Sequence, residues 1–146
     1  MNKNLRKSKN KKYRVFFNAP LSSLAERLFN EELKRVLEEE GFECIMPQEI
    51  LPPGPNTDPI KILRNNQHLI ESSDIVLSVL DKPGEGVIFE LGVAFAIGKP
   101  IVIFRSDEQD YLGKVVEGIY ELMPEDRKAG NLQELKKIIR KCLKTN

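Results

Sequence analysis

Glu90 stands in the run Gly86-Val-Ile-Phe-Glu-Leu-Gly-Val-Ala-Phe-Ala-Ile-Gly-Lys-Pro100, a carboxylate planted in an apolar segment where a solvated surface acid is out of place. In a dry setting such a group can be a nucleophile. In the first turn of a helix it can also simply complement the helix dipole, a contribution of about 0.3 to 1 kcal/mol. Other chemistry is thinly represented. His68 is the single histidine, which leaves a histidine-centred triad or a multi-histidine metal site resting on one imidazole, and it reads as an ordinary helix residue. Cys44 and Cys142 have no paired spacing and read as reduced core thiols. Neither Gly-x-x-x-x-Gly-Lys-[Ser/Thr] nor Gly-x-Gly-x-x-Gly occurs, and there is no Gly-x-Ser-x-Gly elbow or His-Glu-x-x-His pair.

The elements that must position Glu90 follow from hydrophobic patterning. Ile75-Val-Leu-Ser-Val-Leu80 and Ile101-Val-Ile-Phe104 are continuous apolar runs of the kind that form buried parallel strands, so the segment between them predicts a helix with Glu90 in its first turn. Upstream, Tyr13-Arg-Val-Phe-Phe17 predicts a strand, and Ser23-Leu-Ala-Glu26 is a capping box opening a helix that Gly41 ends. Phe42-Glu-Cys-Ile-Met46 predicts a short strand, followed by a turn-rich loop from Pro47 to Pro59. Asp58-Pro59 then starts a helix with Ile60, Leu63, Gln67 and Ile70 on one face. A short helix is expected within 111–123, and an amphipathic helix is marked by Leu132, Leu135, Ile138, Ile139, Cys142 and Leu143.

Alternating strands and helices imply right-handed crossovers and a parallel sheet covered on both faces. The expectation is a flavodoxin-like three-layer α/β/α sandwich with four or five strands. In such a sheet ligands bind beyond the carboxyl ends of the strands. That rim holds Asn18, Pro47-Gln48, the loop Asp81-Lys-Pro-Gly-Glu-Gly86, Arg105 and Glu90.

The 146 residues fit one domain, and 40% hydrophobic with 31% charged residues is the composition of a soluble globular protein. No apolar run approaches the roughly 18 residues that cross a bilayer, and the first residues lack the apolar core of a signal peptide, so a cytoplasmic protein without a membrane partner is expected. The net charge of +1 is unevenly spread: residues 1–14 carry seven Lys or Arg and no acid, leaving 16 positive against 22 negative side chains elsewhere. Residues 1–12 therefore read as a basic disordered tail ahead of a domain at 13–146, and the acidic body argues against a broad nucleic-acid surface.

Phe16-Phe-Asn-Ala-Pro-Leu21, Gly41-Phe-Glu, Pro47-Gln48, Ser73-Asp-Ile-Val, Leu80-Asp81, Phe89-Glu-Leu-Gly-Val-Ala and Gly98-Lys-Pro together resemble the nucleoside 2-deoxyribosyltransferase family over about Val15 to Arg105. The resemblance implies transfer of a 2-deoxyribosyl group between nucleobases by two displacements at the anomeric carbon. Glu90 matches the nucleophile that would form a deoxyribosyl ester, and a helix N-terminus would keep it ionised. It also implies substrate contacts from Phe16, Gln48, Asn66, Asp81 and Glu85, which Asn18 and Gly86 join by their place on the rim; an apolar residue at Phe16 is equally expected of any core, and Asp81 can equally hydrogen-bond within its own loop. Asn66 stands where the family commonly has an aspartate that helps protonate the departing base, Gly84 where it has an acid or serine, and Ser22 where several members place an aromatic. A related branch hydrolyses deoxynucleoside 5′-monophosphates and carries an arginine in the loop after the first strand; here Asn18-Ala-Pro-Leu-Ser-Ser23 has none. No metal or organic cofactor is implied. Partners implied are a nucleoside or nucleotide, a nucleobase and further copies of the chain in a homo-oligomer. A binding module of the same fold that has lost turnover is the competing expectation.

Overall fold

The computed structural model describes residues 12–144, leaving aside the side chain of Leu143; residues 1–11 of the expected basic tail lie outside the described residues. The strands are β1 (Arg14–Asn18), β2 (Glu43–Ile45), β3 (Ile75–Val79), β4 (Ile101–Phe104) and β5 (Lys128–Ala129). They pair in the order β2-β1-β3-β4-β5, every pair parallel. The helices are α1 (Leu24–Glu39), α2 (Pro47–Ile50), α3 (Pro59–Ser72), α4 (Glu85–Ala96), α5 (Lys114–Leu122) and α6 (Leu132–Lys144). This is the expected flavodoxin-like sandwich. Its fifth strand is two residues long, too short for any periodic pattern to announce it.

Strand alternation sorts the core into two layers. Val15, Phe17, Leu77, Val79, Val102 and Phe104 face α1 and α6, where Leu33, Leu37, Leu135 and Ile139 meet them. Phe16, Val76, Ile101 and Ile103 face the other way, against Ile70 of α3, Leu91 and Ala94 of α4 and Val116 of α5. The chain leaves β1 for β2 on one side and returns to β3 on the other, so β1 and β3 stay paired to Asn18 and Ser78 while the segments that leave them part to opposite faces and open a crevice.

Local chemistry sets the helix starts. The Ser23 hydroxyl accepts from the Glu26 amide while the Glu26 carboxylate accepts from the Ser23 amide, the reciprocal cap read from the sequence. Asp58 accepts from the Ile60 amide, with Pro59 at the first helical position. Gly41 ends α1 at φ +96°, a left-handed conformation that costs glycine little.

Three expectations are corrected. The loop expected from Pro47 to Pro59 begins with the single helical turn α2, since Pro47 falls at the first helical position, where its missing amide costs no hydrogen bond. The face of α3 that packs inward carries Leu69 and Ile70, with Ile62 and Asn66 part-buried above them, whereas Ile60 and Leu63 are exposed. The burying stripe is rotated from the expected one because the pleat of the sheet, not hydrophobicity alone, chooses which side of the helix is covered. Glu90 is the sixth residue of α4, in its second turn rather than its first, because the helix starts at Glu85.

Leu33 has no exposed surface and packs between α1 and the sheet. Leu33→Ala is expected to lower unfolding stability by about 2–5 kcal/mol, read as a drop in urea midpoint at unchanged slope.

Candidate functional site

A cleft of about 220 Å³ lies at the carboxyl edge of the sheet, where the segments leaving β1 and β3 diverge. Its walls come from four stretches. Phe17 and the Ala19–Ser22 segment follow β1; Pro47, Gln48, Leu51 and Pro53 follow β2; Ile62 and Asn66 project from α3; and Gly84, Gly86, Val87 and Glu90 come from the start of α4. The lining is largely apolar, with a few polar groups converging on it, as small-molecule sites are built.

Glu90 is half-buried in this cleft. Its Oε1 accepts a hydrogen bond from Asn66 Nδ2 at 2.8 Å, while its other oxygen takes none from any described residue. Burial pushes its carboxyl up to about 7, and the Asn66 amide partly opposes that rise. The expectation that a helix N-terminus keeps Glu90 ionised is therefore corrected. The dipole acts over the first turn only, and a second-turn acid in an apolar wall is governed by loss of water.

The other residues expected at the rim divide. Gln48, Asn66 and Gly86 line the cleft. Phe16 does not: it is fully buried beneath α3 and α4, and Phe17, one residue on, takes the place at the cleft. A one-residue step along a strand reverses the face, and both candidates are phenylalanine. Asn18 is turned inward. Its Nδ2 donates to Val87 O at 2.9 Å and to Ser78 Oγ at 3.1 Å, tying the first turn of α4 to β1 and β3, while its Oδ1 is buried without a partner among the described residues.

Asp81 also lies outside the cleft, its carboxylate accepting from the Ser106 amide at 2.8 Å and the Ser106 hydroxyl at 2.7 Å. Glu85 is exposed at the start of α4, away from the lining. Arg105 is buried and turned to its own loop, where it pairs with Glu117 and donates to the carbonyls of Glu108 and Asp110. Leu51, Pro53 and Ile62 entered no sequence argument. They lie on a loop and a helix whose approach to β1 only the folded chain shows.

Among the described residues no group of three or more His, Cys, Asp or Glu side chains is gathered as metal ligands would be, and no helix is long and apolar enough to cross a membrane.

The family profile described as nucleoside 2-deoxyribosyltransferase matches residues 15–136. None of the curated proteins matches the chain. Among solved structures, it is similar to a conserved protein from Enterococcus faecalis V583, with a TM-score of 0.78 at 22% identity over 90% of this chain and 99% of that one. It is also similar to the 2-deoxyribosyltransferase of Bacillus psychrosaccharolyticus, at TM-score 0.67 and 16% identity over 84% and 90% of the two chains. A third likeness is to the CMP N-glycosidase BcmB of Clostridium botulinum, at TM-score 0.57 and 19% identity over 85% and 94%. At such identities these likenesses speak for the fold.

The raised carboxyl of Glu90 has a consequence for stability. Its ordinary value is 4.5 and its folded value about 7, so between these the folded chain holds a proton that the unfolded chain has lost. Stability is highest below pH 4.5 on this account, falls as pH rises to about 7 and is level beyond. Glu90→Gln, neutral throughout, is expected to remove that decline, measured as the difference between urea midpoints at pH 5 and pH 8.

Proposed function

The chain belongs to the nucleoside 2-deoxyribosyltransferase family, and on that premise we propose that it cleaves the N-glycosidic bond of 2′-deoxyribonucleosides and passes the sugar to another nucleobase through a deoxyribosyl ester on Glu90. It is an enzyme of the deoxyribosyltransferase and N-glycosidase class. The observation that carries the finer reading is the state of Glu90: one oxygen held by Asn66, the other unengaged and facing a cleft at the sheet edge.

In the first step the unengaged oxygen attacks C1′ from the side opposite the base as the C1′–N bond breaks. Positive charge develops on the sugar, where an adjacent carboxylate stabilises it. In the second step the incoming base, or water, attacks C1′ and returns the electron pair of the ester bond to Glu90. Two inversions give net retention. Asn66 fixes the rotamer of the nucleophile, while Gln48 presents an amide able to pair with a base edge. Phe17, Leu51, Pro53 and Ile62 give apolar walls that exclude water.

A free nucleoside fits this cleft better than a 5′-monophosphate. Among the described residues no Lys, Arg or His side chain lines it, so a phosphate dianion would face the Glu90 carboxylate with only neutral donors such as Ser22 and no cation to offset the repulsion. A homo-oligomer in the cytoplasm goes with this reading. Helix α4 is apolar around its circumference, yet Phe89 and Phe95 are exposed, as is Ile97 after it, and a second copy of the chain would cover them.

Incubation with 2′-deoxyinosine and adenine, followed by chromatography, tests the proposal. Appearance of 2′-deoxyadenosine is the expected result. Hypoxanthine alone would make the enzyme a hydrolase, and saturable binding without either product would make it a binding module. Glu90→Ala is expected to abolish turnover with the fold retained by circular dichroism; full activity in that variant would remove the nucleophile assignment.

A further inference from the structure

We propose that the cleft is suited to N-glycosides whose base already carries a positive charge, an N-alkylated purine or a pyridinium, and that it cleaves these in preference to neutral nucleosides. The inference rests on the assignment of Glu90 as nucleophile and narrows its substrate.

The cleft is short of protons to give a departing base. A neutral purine or pyrimidine departs as an anion unless an acid protonates it, and a positioned general acid contributes about 10²–10⁴ in rate. Of the described side chains lining the cleft, Glu90 alone is ionisable, and it is committed to attack. Ser22, Gln48 and Asn66 can donate hydrogen bonds there but cannot give up a proton near neutrality. The nearby acids are turned to other work: Asp81 accepts from Ser106, and Asp58 caps α3. Lys61, Arg64 and His68 on α3, and Glu85 on α4, are exposed and do not line the cleft.

A cationic base needs no such acid. When C1′–N breaks, the bond's electron pair returns to the ring nitrogen and cancels its charge, so the base leaves neutral. The Glu90 oxygen bonds to C1′ in the same step. Water then bonds to C1′ through oxygen, the ester C–O bond breaks with its pair returning to Glu90, and one proton passes to solvent. No oxidant, reductant or metal enters this balance.

Charge points the same way. Among the described residues, the one charged group on the cleft wall is a half-buried carboxylate with an amide and no cation beside it. A cationic base brings the missing opposite charge, which offsets the cost of withdrawing Glu90 from water and favours its ionised, nucleophilic form. A neutral nucleoside leaves that cost standing.

The test compares nicotinamide 2′-deoxyriboside, a fixed pyridinium cation that leaves as neutral nicotinamide, with 2′-deoxyinosine on the full chain, each corrected for its uncatalysed rate. The expected result is a kcat/KM about 10²-fold higher for the cation, the lower end of what a general acid would supply. Between pH 6 and 8 the rates with both substrates should rise with the ionisation of Glu90, their common nucleophile. Glu90→Gln should abolish both. Asn66→Asp, which restores an acid, should raise the deoxyinosine rate more than the cation's and narrow the ratio. Equal kcat/KM for the two substrates, or a ratio untouched by Asn66→Asp, overturns the substrate preference while leaving the proposed function standing. Loss of the proposed function itself would show as neither substrate being turned over.

Discussion

The site depends on a carboxylate held half out of water between two helices. Glu90 sits in the wall where α4 meets α3, and one amide, that of Asn66, is its hydrogen-bond partner. Burial alone drives the group toward its neutral form, and the amide restrains that drive. In the role proposed for it, a carboxylate that is too well solvated is a blunted nucleophile, and one that is too dry is protonated. The depth of Glu90 and its single amide contact set the balance between these limits.

Most of the remaining architecture holds that geometry. Asn18 ties the carbonyl of Val87, in the first turn of α4, to β1 and β3, which fixes the helix that carries Glu90 in phase and height over the sheet. Lys99 donates to the carbonyls of Glu71 and Ser73, anchoring the end of α3 and with it Asn66. Leu91 and Ala94 bury the inward face of α4 against Ile103 and Phe16, so the helix cannot rotate without opening the core. The same packing leaves an apolar outer stripe at Phe89 and Phe95.

The rim positions that carry no chemistry are as instructive. Asp81 and Arg105 lie at strand ends, where a ligand site is expected, and each is consumed by loop construction. Asp81 joins the loop after β3 to that after β4, and Arg105 gathers the segment around Glu108 and Asp110 while stacking on Tyr120. Being at a strand end is a condition for a role in the site; what the side chain finds within reach decides whether it has one.

The first four strands and the longer helices between them, the parallel sheet, the caps at Ser23 and Asp58 and the acid at position 90 in an apolar segment were legible in the chain, because each rests on short-range rules of periodicity, capping and composition that act within a few residues. The choice of Phe17 over Phe16, the inward turn of Asn18, the contact between Asn66 and Glu90 across 24 positions, and the raised carboxyl were settled by the fold. Those features depend on which face a strand shows, how α3 is rotated over the sheet and how much water is displaced. They are set by packing between segments remote in sequence, and no local pattern encodes them.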